Sequence, residues 1–426
     1  MELITGLLYN IGIRSYSLLV GAASFFVPKA RLWTEGRKHW REKLRKGVQG
    51  AEKVAWFHAA SLGEFEQGRP VIEAFRQRHP EYFILLTFYS PSGYEIRKNY
   101  TGADFICYLP SDTPANALDF VEIVRPDITF FIKYEFWHNY LTALKKSGSV
   151  VISFAAIFRP GQLFFRKGGG FYRNLLTRFD AILVQDERSV ELLRQCENLG
   201  EVQIAGDTRF DRVAELEKTA RKLTEIEEFV KGEPCLVVGS AWAEDMQILI
   251  PVLNRLEGRL KAIIAPHEIR EAEITAWENQ LNQPSLRYSR YKKEGFRLSN
   301  SDTRYLFIDN IGMLSALYRY GQIAYIGGSF GKGLHNTLEA ATYGMPVLFG
   351  NRSYQKFSEA VRLLDRGVAR TVAGEDELYQ AIRGYLDHPE ELRRVSAMAR
   401  DFVQANTGAT EKVMEAAERL LELRKL

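Results

Sequence analysis

From residue 53 onward, short apolar runs alternate with stretches whose apolar positions recur at helical spacing. The runs at 54–59, 83–88, 105–109, 128–132, 150–155, 181–184 and 202–205 read as strands. Helical patterns follow the first strand as far as Arg78, begin again at 93–99, and return at 114–124 and 187–199. This alternation predicts a parallel α/β sheet. A charged segment at 211–231, carrying Glu215, Lys218, Arg221, Lys222, Glu225, Glu227 and Glu228, reads as an exposed helix between two halves. The alternation restarts at Pro234, with strands at 235–238, 260–264, 305–307, 323–326 and 346–349, the last preceded by a helix at 336–343; the tail 390–426 is helical. The expected organisation is a first lobe at 47–211, a linker at 212–231, a second lobe at 232–405 and a C-terminal helix at 406–426. Two doubly wound lobes make the cleft between them the expected ligand site.

The first 46 residues follow a different pattern. Residues 3–27 hold one charge, Arg14, in an otherwise apolar and small-residue run. A helix of that length would measure about 37 Å, enough to span a bilayer, but Arg14 at mid-depth would cost about 2.5–3.5 kcal/mol. The uncharged run after it, 15–27, gives only about 20 Å. Gly6, Asn10, Arg14, Ser17, Gly21 and Ser24 recur every three or four residues and form one small or polar stripe on an apolar helix. That pattern suits a helix lying in the membrane interface. Lys29, Arg31, Arg37, Lys38, Arg41, Lys43, Arg45 and Lys46 follow, with Trp33 and Trp40 among them, as suits anionic headgroups on the cytoplasmic side. A cleaved signal peptide fits poorly, because the run ends in Phe-Phe-Val-Pro and positive charges follow it. A first helix buried in the body, with a solvated basic turn, is the other reading.

Charge sharpens this division. The formal net charge of +4 comes from 57 Lys+Arg against 53 Asp+Glu. Residues 1–46 hold nine basic and three acidic side chains, a net +6, which leaves 48 against 50 for the remainder. A body without basic excess argues against a nucleic-acid partner. With 46% hydrophobic residues the chain can bury a core. Cys107, Cys196 and Cys235 are widely spaced and read as reduced thiols, with no disulfide framework and no metal site.

Four segments could carry chemistry. At 326–339, Ile-Gly-Gly-Ser-Phe-Gly-Lys-Gly-Leu-His-Asn-Thr-Leu-Glu delivers a strand into a glycine-rich loop and a helix, a pattern that can bind phosphate at free N–H groups. It fits neither a Walker loop nor GxGxxG, and a tight βα turn with Asn336 as N-cap is the plain alternative. At 56–64, Trp-Phe-His-Ala-Ala-Ser-Leu-Gly-Glu ends in a Ser61/Glu64 capping-box pattern, which alone favours a structural role. A carboxylate at that strand's C-terminal edge could also serve as a general base. Lys133-Tyr-Glu135-Phe-Trp-His-Asn139 follows a buried strand, where its charges could form a surface ion pair or line the cleft. Arg209, in Gly-Asp-Thr-Arg-Phe-Asp at 206–211, and His267 and Arg270, in Pro-His-Glu-Ile-Arg at 266–270, are candidate phosphate or carboxylate partners.

Taken in order, these segments resemble the 3-deoxy-D-manno-octulosonic acid (Kdo) transferases of lipid A assembly. The resemblance rests on His-Ala-Ala-Ser-Leu-Gly-Glu (58–64), Tyr-Leu-Pro-Ser-Asp (108–112), Tyr-Glu-Phe-Trp-His-Asn (134–139), Gly-Asp-Thr-Arg-Phe-Asp (206–211), Gly-Ser-Ala-Trp-Ala-Glu (239–244) and the loop at 327–339. It implies a GT-B fold, with two Rossmann-like lobes and an interlobe cleft, plus the N-terminal membrane-associated helix. It implies an inverting, metal-independent enzyme without cofactor, acting in lipopolysaccharide core biosynthesis. The enzyme would move Kdo from CMP-Kdo to a lipid A precursor of lipid IVA type at the cytoplasmic face of the bacterial inner membrane. Glu64 takes the catalytic-base position, against the capping reading. Glu135 matches the second acid of the family's Glu-x-Glu-Leu-Trp-Pro-Asn motif and Arg209 the lysine of its Gly-Asn-x-Lys, both tied to transition-state stabilisation. CMP-Kdo positions fall on Pro266 and His267, on Ile311, Gly312 and Met313, on Gly328 and Ser329, and on Asn336, Thr337, Leu338 and Glu339. The sequence departs from the pattern at Lys133, Arg209, His267 and Met313. The competing readings are a membrane-associated GT-B transferase using a UDP-sugar, and a non-catalytic nucleotide- or lipid-binding scaffold.

Overall fold

The structure is a computed structural model that describes residues 2–294 and 303–424. Residues 425 and 426 of the expected tail lie outside that range. The chain forms two compact units, Met1–Arg212 with Thr407–Leu426, and Val213–Asn406.

The first unit is built on seven parallel strands: β1 (Val54–Ala59), β2 (Phe83–Phe88), β3 (Phe105–Tyr108), β4 (Ile128–Ile132), β5 (Val150–Ala156), β6 (Ala181–Val184) and β7 (Glu201–Ile204), in the order β3-β2-β1-β4-β5-β6-β7. Every residue of β1, β4, β5 and β6 is buried, as expected of strands covered on both faces. Phe57 of β1 pairs with Leu86 and Phe130, and its ring stacks on Phe130 at 4.4 Å. One face is covered by Phe65, Val71, Ile72 and Phe75 of the Leu62–Arg78 helix. A Cβ on Gly68 of that helix would lie 2.2 Å from Ile132, so glycine sets how closely the helix rides on the sheet. The same face holds Val413, Met414, Ala417 and Leu421 of the Ala409–Leu423 helix, which the sequence sets apart as a separate tail. Asp211 ties it down by accepting from the Gly408 and Thr410 backbone N–H groups at 2.5 and 2.7 Å.

The second unit repeats the plan with β8 (Cys235–Ala241), β9 (Lys261–Pro266), β10 (Ser285–Arg287), β11 (Tyr305–Phe307), β12 (Ile323–Ile326), β13 (Val347–Gly350) and β14 (Ala369–Val372), ordered β10-β11-β9-β8-β12-β13-β14. The two strands that the hydropathy pattern misses, β10 and β14, are the sheet's edges. Neither is an apolar run, because an edge strand is only partly covered. The charged segment at 211–231 holds the end of the Thr208–Thr219 helix and a second helix, Thr224–Val230, whose Ile226, Phe229 and Val230 are buried.

The chain starts with helices at Glu2–Ala23, Pro28–Gly36 and Trp40–Gly47. The first helix turns part of its polar stripe inward, while Arg14 stays exposed. The Tyr9 hydroxyl donates to Asp112 at 2.7 Å, Ser17 donates to Ser111 at 2.9 Å, and Asn10 accepts from the Asn139 side chain at 2.8 Å. Burial raises the Asp112 carboxyl to about 6, against hydrogen bonds from Tyr9 and the Asn139 and Tyr140 backbone. The apolar side faces away from the body: Leu18 is 75% exposed, Leu19 70% and Phe26 88%, with Leu7, Leu8 and Ile11 also exposed. This corrects the reading of a first helix buried by its apolar surface. Among the described residues no helix is long and apolar enough to cross a membrane. The basic segment is partly engaged in structure. The Arg37 guanidinium lies 3.9 Å from the Trp33 ring centroid, near Tyr89 and Tyr108, and donates to the Tyr89 and Leu109 carbonyls. Arg41 pairs with Asp119.

Candidate active site

In the first sheet the chain runs from β1 out to β3 and returns to lay β4 on the other side of β1. The loops leaving β1 and β4 therefore diverge, and an open parallel sheet takes its ligand at such a switch point. Glu64 stands in the first turn of the helix that follows β1, half-buried, where the helix dipole favours a carboxylate. Ser61 is the N-cap by its backbone, yet its side chain accepts no helix N–H; its hydroxyl donates to the Glu64 carboxylate instead. The expected capping box therefore does not close onto the backbone.

After β4, Lys133 takes φ of +74°, a conformation that side-chain-bearing residues adopt at a cost of about 1–3 kcal/mol. Beyond it Glu135 is buried, 8% exposed. Its Oε2 lies 3.2 Å from Nε2 of His58, which points out of β1, and accepts from Trp137 Nε1 at 2.6 Å. His58 Nδ1 lies 2.8 Å from Thr87 Oγ1, which accepts from Trp56 Nε1 at 2.8 Å. The Thr87 hydroxyl proton goes to His58 Nδ1 rather than to the Phe57 carbonyl at 3.4 Å, so we assign His58 the tautomer whose Nε2–H donates to Glu135. Tyr134, between Lys133 and Glu135, reports the surrounding charge. Burial pushes its hydroxyl up, Arg159 beyond β5 opposes this, and Asp186 beyond β6 and Glu64 add to it.

Arg209 joins from the 208–219 helix. Asp207, buried, holds its guanidinium with contacts of 3.0 Å at Nε and 2.6 Å at Nη2. Gln67, one turn beyond Glu64, reaches Asp207 at 3.5 Å, and Thr208 donates to the Gln67 carbonyl. The three residues expected to be catalytic, Glu64, Glu135 and Arg209, therefore lie on segments packed around one end of the first sheet.

The second sheet has its switch point between β8 and β12. Asp245, fully buried in the helix after β8, accepts from the Trp242 and Gly328 backbone N–H groups at 2.9 Å each and from the Tyr325 hydroxyl at 2.9 Å. It fixes the glycine-rich turn. Gly328 has φ of +94°, and a Cβ there would sit 2.3 Å from the Gly333 carbonyl oxygen, since Gly333 N–H returns to Gly328. This glycine lets the loop fold on itself. The helix expected at 336–343 is the single turn Leu338–Thr342, which Asn336 approaches through Oδ1 accepting from Leu338 N–H at 3.0 Å. Asn336 also donates to Glu339 at 3.0 Å. Ser329 donates to the Gly350 carbonyl at 2.6 Å and to that of Arg352. Thr337 is fully buried, and its hydroxyl has no hydrogen-bond partner among the described residues.

Pro266 closes β9, and the His267 ring after it stacks on Trp242 at 4.2 Å and on His335 at 4.4 Å. Trp242 Nε1 donates to His335 Nε2 at 3.0 Å. Burial, with His267 adding to it, lowers His335 to about 4, so the stack is uncharged at neutral pH. Ile311, Gly312 and Met313 lead into the Leu314–Leu317 helix. Leu314 and the nearby Tyr318 both lie against Gly239 of β8, and the Glu339 charge acts on Tyr318. Sequence reasoning missed His58, Asp245 and the Trp242–His335 partnership. The available signals were a lone histidine in an apolar strand, and at 239–245 the same strand, small-residue turn and acid seen at 56–64.

Residues 38–212 match the family model described as 3-deoxy-D-manno-octulosonic-acid transferase (kdotransferase). The 3-deoxy-D-manno-octulosonic acid transferase of Chlamydophila psittaci is 27% identical, over 88% of this chain and 87% of that protein. The protein of the same name from Aquifex aeolicus is 26% identical, over 82% and 90%. Among solved structures, the UDP-GlcNAc 2-epimerase of Neisseria meningitidis bound to UDP-GlcNAc superposes with a TM-score of 0.60 at 15% identity, covering 86% of this chain and all of that one. Two Rossmann-like units of this kind define a GT-B protein, and the sequence relatives define a glycosyltransferase. Over most of its length the chain is similar in sequence to proteins named as Kdo transferases.

Proposed function

We propose that this protein moves Kdo from CMP-Kdo to a lipid A precursor of lipid IVA type, with inversion and without a metal ion, at the cytoplasmic face of the inner membrane. The reading is carried by Glu64, a carboxylate held by Ser61 at the switch point of the unit that the family model matches. Glu64 takes the proton of an acceptor sugar hydroxyl as that oxygen bonds to the Kdo anomeric carbon. The bond from that carbon to the CMP phosphate oxygen breaks, and its electron pair leaves with CMP. Glu135 and Arg209 stabilise charge as it develops, Arg209 with its donors fixed in direction by Asp207. CMP as a free phosphate monoester is a stable leaving group, which removes the chemical need for a divalent ion.

In the second unit, CMP-Kdo binds at Pro266, His267, Ile311, Gly312, Met313, Gly328, Ser329, Asn336, Thr337, Leu338 and Glu339. The unpartnered Thr337 hydroxyl supports this assignment, since a buried hydroxyl without a partner costs about 1–3 kcal/mol and gains from a ligand oxygen. Ser329 acts through the loop, its hydroxyl being directed at the Gly350 carbonyl of β13 and the Arg352 carbonyl beyond it. The outward apolar side of the first helix supports attachment to the membrane interface.

The test incubates the full chain with CMP-Kdo and a tetraacylated lipid A precursor, with and without EDTA, using UDP-GlcNAc as the contrasting donor. Kdo transfer that survives EDTA is expected. Glu64→Gln should keep CMP-Kdo affinity and lower turnover about 10²–10⁴-fold. Transfer from UDP-GlcNAc alone, or near-normal turnover by the variant, overturns the reading.

A further inference from the structure

Between the first helix and the body of the first unit runs an open groove of about 660 Å³. Ile4 and Leu7 line one side, Phe171 and His138 the other, and Gly6 leaves its floor on the helix side without a side chain. Ile4 and Leu7 are 66% and 62% exposed, so the groove opens onto the outward apolar surface that continues through Leu8, Ile11, Leu18 and Leu19. Its inner end is polar. The Arg178 guanidinium donates to the His138 carbonyl at 2.9 Å and approaches His138 Nδ1 at 3.1 Å. Burial, then the Arg178 charge, lowers His138 to about 4, so the imidazole stays neutral at physiological pH beside a permanent cation. His138, in the groove wall, follows Trp137, which donates to Glu135 at 2.6 Å.

We infer that this groove seats one acyl chain of the lipid acceptor, its tail along Ile4 and Leu7 and its oxygen-bearing end at Arg178. This rests on the transferase reading above. An apolar trough that begins on the outward helix face and ends at a guanidinium matches an anionic lipid in both halves, and its wall residue His138 follows Glu135 by three residues in the loop after β4. A chain held there would leave the sugar head near the first unit's carboxylates without lifting the whole lipid from its surroundings.

Gly6→Leu fills the trough. A Cβ at Gly6 would meet His138 Nε2 at 3.7 Å and Phe171 at 3.9 Å, ordinary contact distances, so the first carbon fits and the rest of the side chain enters the trough. In detergent micelles, where membrane attachment plays no part, the preference of the full chain for tetraacylated over deacylated acceptor, read as kcat/KM, should fall about tenfold in the variant. A preference within twofold of the unchanged protein overturns the inference while leaving Kdo transfer standing. Independently of turnover, an acceptor carrying a photoreactive diazirine at the end of an acyl chain should crosslink to the 2–23 helix or to Phe171, and unlabelled acceptor should compete. Crosslinks confined elsewhere overturn it, and so does capture of a diazirine phospholipid that the acceptor does not displace. Loss of all Kdo transfer by the unchanged protein would count against the transferase reading, with the crosslink still reporting on the groove.

Discussion

A histidine in the middle of a fully buried strand has to satisfy two ring nitrogens without water. His58 does so by joining Thr87 to Glu135, and the chain Trp56, Thr87, His58, Glu135, Trp137 gives each of its buried polar groups a partner. Glu135 is thereby aimed from two sides, by His58 Nε2 and Trp137 Nε1. His58→Phe keeps the ring volume and removes the donor, leaving a buried carboxylate with one partner fewer. We expect a loss of about 1–3 kcal/mol in urea unfolding and at least a tenfold fall in turnover under conditions where the variant is folded. Turnover equal to that of the unchanged protein would mean that the direction of Glu135 is immaterial. At this scale the positions of Glu64 and Glu135, each beyond an apolar strand, were legible in the sequence, whereas the roles expected of them came from the family resemblance. Their partners were not. Thr87 and His58 are 29 residues apart, and His58 and Glu135 are 77 apart, and only strand order brings them together.

At the scale of the element, the first helix reverses the usual arrangement of a surface helix. Tyr9, Asn10 and Ser17 face the body and bond to Asp112, Asn139 and Ser111, while the leucines face out. The stripe of small and polar residues at three- and four-residue spacing was visible in the sequence. The direction of the stripe was not visible, since a periodic pattern gives faces without saying what lies against them. The outward side makes its own prediction. Each exposed leucine is worth about 1.5–3 kcal/mol when moved out of water, so Leu18→Asp with Leu19→Asp should lower partition onto vesicles by 10²-fold or more. Both side chains point away from the protein, so urea midpoints should stay where they were. Unchanged vesicle co-sedimentation would show that this surface does not meet lipid.

Across the whole molecule, charge and topology divide the chain differently. The apolar-run pattern found the restart at Pro234 but not the return of 407–426 to the first unit. That return depends on Asp211 meeting Gly408 and Thr410, and on Arg78 meeting Glu411 and Glu418, pairs that lie about half to more than three quarters of the chain apart. The +6 of residues 1–46 also changes meaning once folded. Arg37 is enclosed by aromatic rings, and Arg41 and Lys38 sit in ion pairs with Asp119 and Glu35. Exposed cations of this segment without an ion pair among the described residues are Arg14 on the first helix, Lys29 and Arg31, beside the exposed Phe25 and Phe26, and Lys43, Arg45 and Lys46 one helix further on. At about 1 kcal/mol each near an anionic surface, and on a remainder that carries two more acidic than basic groups, these set the upper limit of the electrostatic attraction at about 6 kcal/mol. That attraction fades as the screening length shortens from about 10 Å at 0.1 M salt to about 3 Å at 1 M, whereas the leucine contribution does not. Affinity for anionic vesicles should therefore fall at least tenfold between 0.1 and 1 M salt, toward the value for zwitterionic vesicles, which should change less than threefold. Lys29→Gln with Arg31→Gln should lessen the salt dependence, and Arg37→Gln should lower stability instead, because its charge faces protein carbonyls. Binding to anionic vesicles that ignores salt would place the basic segment away from the lipid surface.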